Sequence, residues 1–220
     1  AASGAAPAAA AAPPALPEAV EAVAGALDQL LAAQLWRASE GEVRDAVLAL
    51  EVQAARLDAA RLRLLAVADE RGLEAAGGGP STADWLCAAT TTRAEHARRR
   101  VTLAVDLQGP LAATGKALAA GAVTAEQAGV IAAAMGRLHP SLDADTRAEA
   151  QTFLIAQAAH LDPRRLAYVG RHLTARLDPG HGPGSGLGDD LARTEARQAR
   201  QAQLRCTQTD DGTWALSGLL

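Results

Sequence analysis

Few residues in this chain have types and spacings that could do chemistry, and most of those are basic. Arg93, His96, Arg98, Arg99 and Arg100 crowd into one short stretch. Guanidinium groups there could hold phosphates or fork onto a guanine edge. The plainer reading of the same stretch is a solvated basic face, screened by Glu95 and Asp106. The remaining histidines are His139, His160, His172 and His181, and none lies in a metal-ligand cluster. His172 and His181 flank a Gly/Pro segment holding Asp178 and Asp189, a stretch too pliant to preorganise ligands. Cys87, beside Trp85 and Leu86, reads as a small buried apolar residue rather than a thiolate nucleophile. Cys87 and Cys206 lie far apart without a CxxC partner, which excludes a disulfide framework and fits a reducing cytoplasm. Carboxylates are spread evenly, with no pair set aside for acid–base work. No catalytic, cofactor-binding or metal-binding residue is therefore assigned.

The elements that would position the arginines are helices. Ser81 can cap the helix STADWLCAAT with Asp84 at the box position, and Thr92 to Glu95 reads as a second capping box. The helix it opens carries Val101, Leu103, Ala104, Val105 and Leu107 and stops at Gly109-Pro110. Helix, short break, helix is compatible with a helix-turn-helix whose second helix enters a major groove. A similar look from Thr124 to Leu138 has only Arg137 as a base and reads as packing.

Upstream, Val20, Val23, Leu27, Leu30, Leu31 and Leu35 recur at helical spacing from Pro17 onward, with a break at Ser39 or Gly41. Val43, Val47, Leu50, Ala54, Leu57, Leu64 and Ala68 repeat at four and three, interrupted at Arg61. No Gly or Pro intervenes between Glu42 and Arg71, which allows one helix of about 44 Å with Gly72 as its C′ residue. Two long helices on a short connection suggest an antiparallel hairpin. The second stripe could equally be a dimer seam, with intramolecular packing the preferred reading. Downstream, helices are expected from Leu111 to Ala120, from Thr124 (a capping box with Gln127) to Leu138, and from Asp143 to Leu161 with Phe153 and Leu154 inward. Another begins at Asp162-Pro163 and buries Leu166, Val169, Leu173 and Leu177.

The chain has 220 residues, 49% hydrophobic and 21% charged, with a formal net charge of −4. Its only aromatics are Trp36, Trp85, Trp214, Phe153 and Tyr168, a poor supply for a β-sandwich or barrel. Alanine abounds, and no apolar run is long enough for a membrane span. Arginine outnumbers lysine 20 to 1, the codon signature of a GC-rich genome, and the acidic balance excludes a globally cationic coat. The expected fold class is mainly α: a multi-helix bundle with two long N-terminal helices and a small C-terminal β-hairpin. The expected organisation is a disordered Ala/Pro segment over 1–15, a helical domain over 16–177, a Gly/Pro linker over 178–190, and a helix plus hairpin over 191–220. The hairpin rests on alternation through Leu204, Cys206 and Gln208, the turn signal Asp211-Gly212, and the return through Trp214, Leu216 and Gly218. The last residues read as an unfinished apolar strand, so a further module is expected beyond Leu220.

One order of motifs is specific. Asp69-Glu70-Arg71-Gly72 is followed by Ser81-Thr82-x-x-Trp85-Leu86 and by Ala94-Glu95-x-Ala97-Arg98-Arg99-Arg100-Val101. Then come Leu118-x-x-Gly121-x-Val123-Thr124-x-Glu126-Gln127-Ala128-x-Val130-Ile131, Leu161-Asp162-Pro163-x-x-Leu166, and finally Gly212-x-Trp214-x-Leu216-x-Gly218-Leu219-Leu220. From about residue 25 to the end, the chain resembles the domain of unknown function number 222. That domain typically sits N-terminal to an HNH nuclease domain in high-GC actinobacterial proteins. The resemblance implies an HNH endonuclease as parent protein. An HNH site needs paired histidines with an Asn or Asp between them. No such cluster is present, so no nuclease residue carries over, and a divalent metal is expected only in the absent module. The expected function is an accessory, DNA-binding N-terminal domain contacting DNA through Arg93, His96, Arg98, Arg99 and Arg100, in the cytoplasm and away from membranes. The alternative is a helical interaction or dimerisation module without nucleic-acid contact, with a homodimer through the helix containing Val43, Val47, Leu50 and Leu57.

Overall fold

Helix starts follow from side chains that can satisfy the free N–H groups of a first turn. The structure, a computed structural model, describes residues 14–73 and 80–177, and the backbone of 203–208 and 214–219. Outside the described residues lie most of the Ala/Pro segment, the Gly77–Gly79 break, the 178–190 linker with His181, the helix expected after Leu191, and the Asp211-Gly212 turn.

Helix α1 (Leu16–Leu31) has Pro in its first turn, and Glu18 accepts from the Ala15 N–H at 3.3 Å. A 3-10 turn, Leu35–Arg37, leads to α2 (Glu40–Glu70). A box that the sequence reading passed over opens α2. Ser39 Oγ accepts from the Glu42 N–H at 3.3 Å while the Glu42 carboxylate accepts from the Ser39 N–H at 2.8 Å. The Ser39 N–H, and then the Ser39 hydroxyl at 2.8 Å, donate to the Glu42 carboxylate and hold its pKa below its ordinary range, and Gly41 is absorbed into the helix rather than ending one. Gly72 takes a left-handed φ of 62° just past the end of α2, as its place after the helix suggested.

Then follow α3 (Thr82–Thr90), α4 (Ala94–Gln108), α5 (Ala112–Ala119), α6 (Ala125–Met135), α7 (Ala144–Ala158) and α8 (Pro163–Leu177). Ser81 caps α3 through the Asp84 N–H, and Thr124 and Gln127 form a full capping box on α6. Asp143 caps α7 through the Thr146 N–H at 2.7 Å.

The chain divides into two units, 1–49 and 50–220. In the first, no described side chain is buried. The second holds the core, with Leu118, Val123, Ile131, Leu154 and Leu166 fully enclosed. Two buried polar links tie it together. Gln151 Nε2 donates to Thr114 Oγ1 at 2.8 Å, and Gln127 Nε2 donates to the carbonyls of Ala158 and Leu161 at 2.7 and 2.9 Å. The second link makes Gln127 both a cap of α6 and an anchor for the end of α7.

The expected fold class needs correction. The fold is all-α, and of the two N-terminal helices, which form as expected, only α2 contributes to the core. No residue of α1 is buried, and α2 turns a different face inward from the one expected. Ala55, Leu62, Leu65 and Ala66 are buried, whereas Val43, Val47, Leu50, Leu57 and Leu64 are exposed. Of the expected stripe only Ala68 reaches the core. A second helical row, carrying Ala55, Leu62 and Ala66, runs beside the heptad row, and the small residues in it permit closer packing. Phe153 is likewise exposed while its neighbour Leu154 is buried. The C-terminal β-hairpin also drops out of the fold class. Backbone segments β1 (Gln203–Gln208) and β2 (Trp214–Leu219) pair antiparallel, but every described core residue belongs to α2–α8 or their connections.

Candidate nucleic-acid interface

The arginines of α4 are presented by a helix pair. Helices α3 and α4 pack together and are joined by Thr91, Thr92 and Arg93. Thr91 adopts a left-handed conformation, φ 52°, which reverses the chain at the end of α3. Cys87 Sγ donates to the Thr92 carbonyl at 2.8 Å and so ties α3 to this turn. The expected Thr92–Glu95 box does not form. The N-cap of α4 is Arg93, without a side-chain cap bond, and the Thr92 hydroxyl bonds that of Thr90 at 2.7 Å instead. Glu95 is thereby released to pair with Arg99 one turn on.

The candidate arginines leave α4 in different directions, although four of the five candidate residues border one groove. Consecutive helical residues point about 100° apart, so Arg98, Arg99 and Arg100 sweep about 200° around α4. Arg93, His96, Arg98 and Arg99 are exposed, and Arg100 is half-buried. Burial, and then the charge of Arg61, lower the Arg100 pKa, while Asp58 opposes that shift. Arg61 itself pairs with Asp58 at 3.1 Å.

A groove of about 1080 Å³ opens between α2, α4 and α6. His96 and Arg98 to Arg100 line it, together with Arg61; Arg93 does not. Its floor is apolar, with Leu62, Leu103, Val130 and Ala133. Asp58, Glu95, Asp106 and Glu126 share the wall with the arginines, so the groove as a whole is close to electrically neutral. Burial raises the Asp106 pKa. The groove thus suits a mixed polar surface, and only the outward guanidiniums of α4 suit a polyanion.

The remaining histidines are dispersed. His139 Nδ1 shares a hydrogen with Ser141 Oγ at 2.7 Å in the connection between α6 and α7, and His160 sits just past the end of α7. His172 packs against Tyr168 with ring centroids 4.2 Å apart and the rings tilted by 60°. Among the described residues no three His, Cys, Asp or Glu side chains converge for a metal ion, and no helix is long and apolar enough to cross a membrane. One basic surface was not singled out in the sequence: the outer face of α8, whose arginines are dispersed in sequence but share one side of a helix.

These features define an all-helical module with basic outer faces. A family model described as Domain of unknown function (DUF222) matches residues 44–220, and the chain belongs to that family. No curated protein and no solved structure matches it.

Proposed function

We propose that the chain is a DNA-contacting accessory module that holds an HNH-type nuclease domain on duplex DNA. The α3–turn–α4 pair carries this reading. Its second helix offers Arg93, His96 and Arg98 to solvent over its first two turns, the part of a recognition helix that meets base edges. The resemblance to nuclease-associated domains supports it. On this reading the module works in the cytoplasm and needs no cofactor of its own, the divalent metal belonging to the nuclease domain. The test is Arg98→Ala combined with Arg99→Ala, followed by fluorescence anisotropy on a labelled DNA duplex. Binding should weaken and lose part of its salt dependence. Absence of salt-dependent binding by the unsubstituted chain overturns the reading.

A second reading is favoured by a separate observation. Val43, Val47, Leu50, Leu57 and Leu64 are all exposed, at a spacing that matches a coiled-coil seam. A second copy of α2 presents the same row and would cover it. Self-association and DNA contact use different helices, so both can hold.

A further inference from the structure

We infer that the outer face of α8 is a binding surface for the sugar–phosphate backbone of duplex DNA. The inference rests on the DNA reading above but places contacts on a different helix.

Helix α8 runs from Pro163 to Leu177 and contains four arginines, one histidine and no carboxylate. Arg164, Arg165, Tyr168, Arg171, His172 and Arg176 are all exposed. At 3.6 residues per turn these six occupy one arc of about 140° and extend about 18 Å along the axis. Arg171 lies over the Tyr168 ring at 5.8 Å, and the His172 ring meets the same ring at a tilt of 60°, so the middle of the row clusters on one aromatic group. Among the described residues only Arg165 is engaged by an acid, Asp162 at the N-terminus, at 3.4 Å. This contrasts with α4, where Glu95 and Asp106 stand among the arginines and the run of three fans out.

The opposite face of α8 is already occupied. Leu166 and Gly170 are buried, and Val169, Leu173 and Leu177 pack on the core. No apolar face remains for insertion into lipid, which sets α8 apart from a membrane-surface helix. A rigid, one-sided cationic helix matches a polyanion with regular charge spacing. B-form DNA admits a helix to its major groove, about 12 Å wide, with phosphates on both rims. The deep, narrow major groove of duplex RNA does not.

The test compares the unsubstituted 220-residue chain with an α8 variant, Arg164→Gln/Arg171→Gln/Arg176→Gln, and with the α4 variant Arg98→Ala/Arg99→Ala. Each is titrated against a short labelled DNA duplex over a range of salt, and against an RNA duplex of the same sequence. Far-UV circular dichroism checks that the exposed substitutions leave the helices intact. The α8 variant should bind DNA more weakly, with a slope of log affinity against log salt shallower by about 2 to 3, since each phosphate contact contributes about 0.9. RNA should bind more weakly than DNA. An α8 variant with unchanged slope and affinity overturns the inference, even where the α4 variant shows that DNA is bound. Equal binding of RNA overturns the choice of duplex. A loss confined to the α8 variant sustains the inference and removes α4 from the interface.

Discussion

Gly170 of α8 lies so close to Ala134 of α6 that a Cβ built on it would stand 2.9 Å from the Ala134 Cβ. The missing side chain sets how deeply α8 settles onto α6, and so fixes which face of α8 is left outside. Gly170→Val should therefore cost about 1 to 3 kcal/mol by overpacking. Gly129, in the helix that α8 packs on, has nothing within 4 Å of its Cβ position. Gly129→Ala should stabilise by about 0.5 to 1 kcal/mol through helix propensity. Urea titrations with unchanged m-values check both signs. A neutral Gly170→Val would show that α8 is not held by this contact.

Gln127 is the polar counterpart of that apolar fit. Its Nε2 satisfies the Ala158 and Leu161 carbonyls at the end of α7, and its own N–H is capped by Thr124. Gln127→Leu keeps the volume but strands the carbonyls, at about 1 to 3 kcal/mol. Equilibrium unfolding measures the loss, and a change below the error of the method would remove Gln127 from the list of tertiary anchors.

Acid sensitivity should appear at the start of α7. The Thr146 N–H and then the Thr146 hydroxyl bond the Asp143 carboxylate and lower its pKa. A carboxylate whose folded pKa is depressed stabilises the protein above its unfolded value, near 3.9, and that stability is lost as the pH falls through the folded value. Asp143→Asn should flatten the decline of melting temperature with pH in the acid range. Parallel melting curves for the variant and the unsubstituted chain would contradict this.

The local signals were legible because they are short-range. Ser81, the Thr124–Gln127 pair, Asp143 and Gly72 act within one turn of themselves, and each was readable from spacing alone. The Thr92–Glu95 box failed because α4 starts one residue later, after the left-handed Thr91, with Arg93 as its N-cap. Which stripe of α2 faces inward could not be read from periodicity. Large residues mark Val43 to Leu64, but the core takes the row with Ala55 and Ala66, which allows closer approach. The same limit applies to charge. Arg98 to Arg100 draw the eye as a run, yet neighbours in a helix diverge. Arg164, Arg171 and Arg176 look scattered but return to one side at helical spacing, a signal the sequence held and a search for runs passes over.

The exposed row on α2 makes its own prediction. Leu57→Glu should leave the melting temperature of the monomer unchanged, because Leu57 is 40% exposed, and should abolish any dimer seen by sedimentation equilibrium. A large loss of stability instead would mean that Leu57 packs within its own chain. A chain that stays monomeric at high concentration removes self-association.

DNA contact through basic helix faces is tested most directly by the salt dependence of binding to a short labelled duplex. For the unsubstituted chain, log affinity should fall linearly with log salt, and Arg164→Gln/Arg171→Gln/Arg176→Gln should reduce the slope by about 2 to 3. Affinity independent of salt, or no binding at low salt, would contradict it.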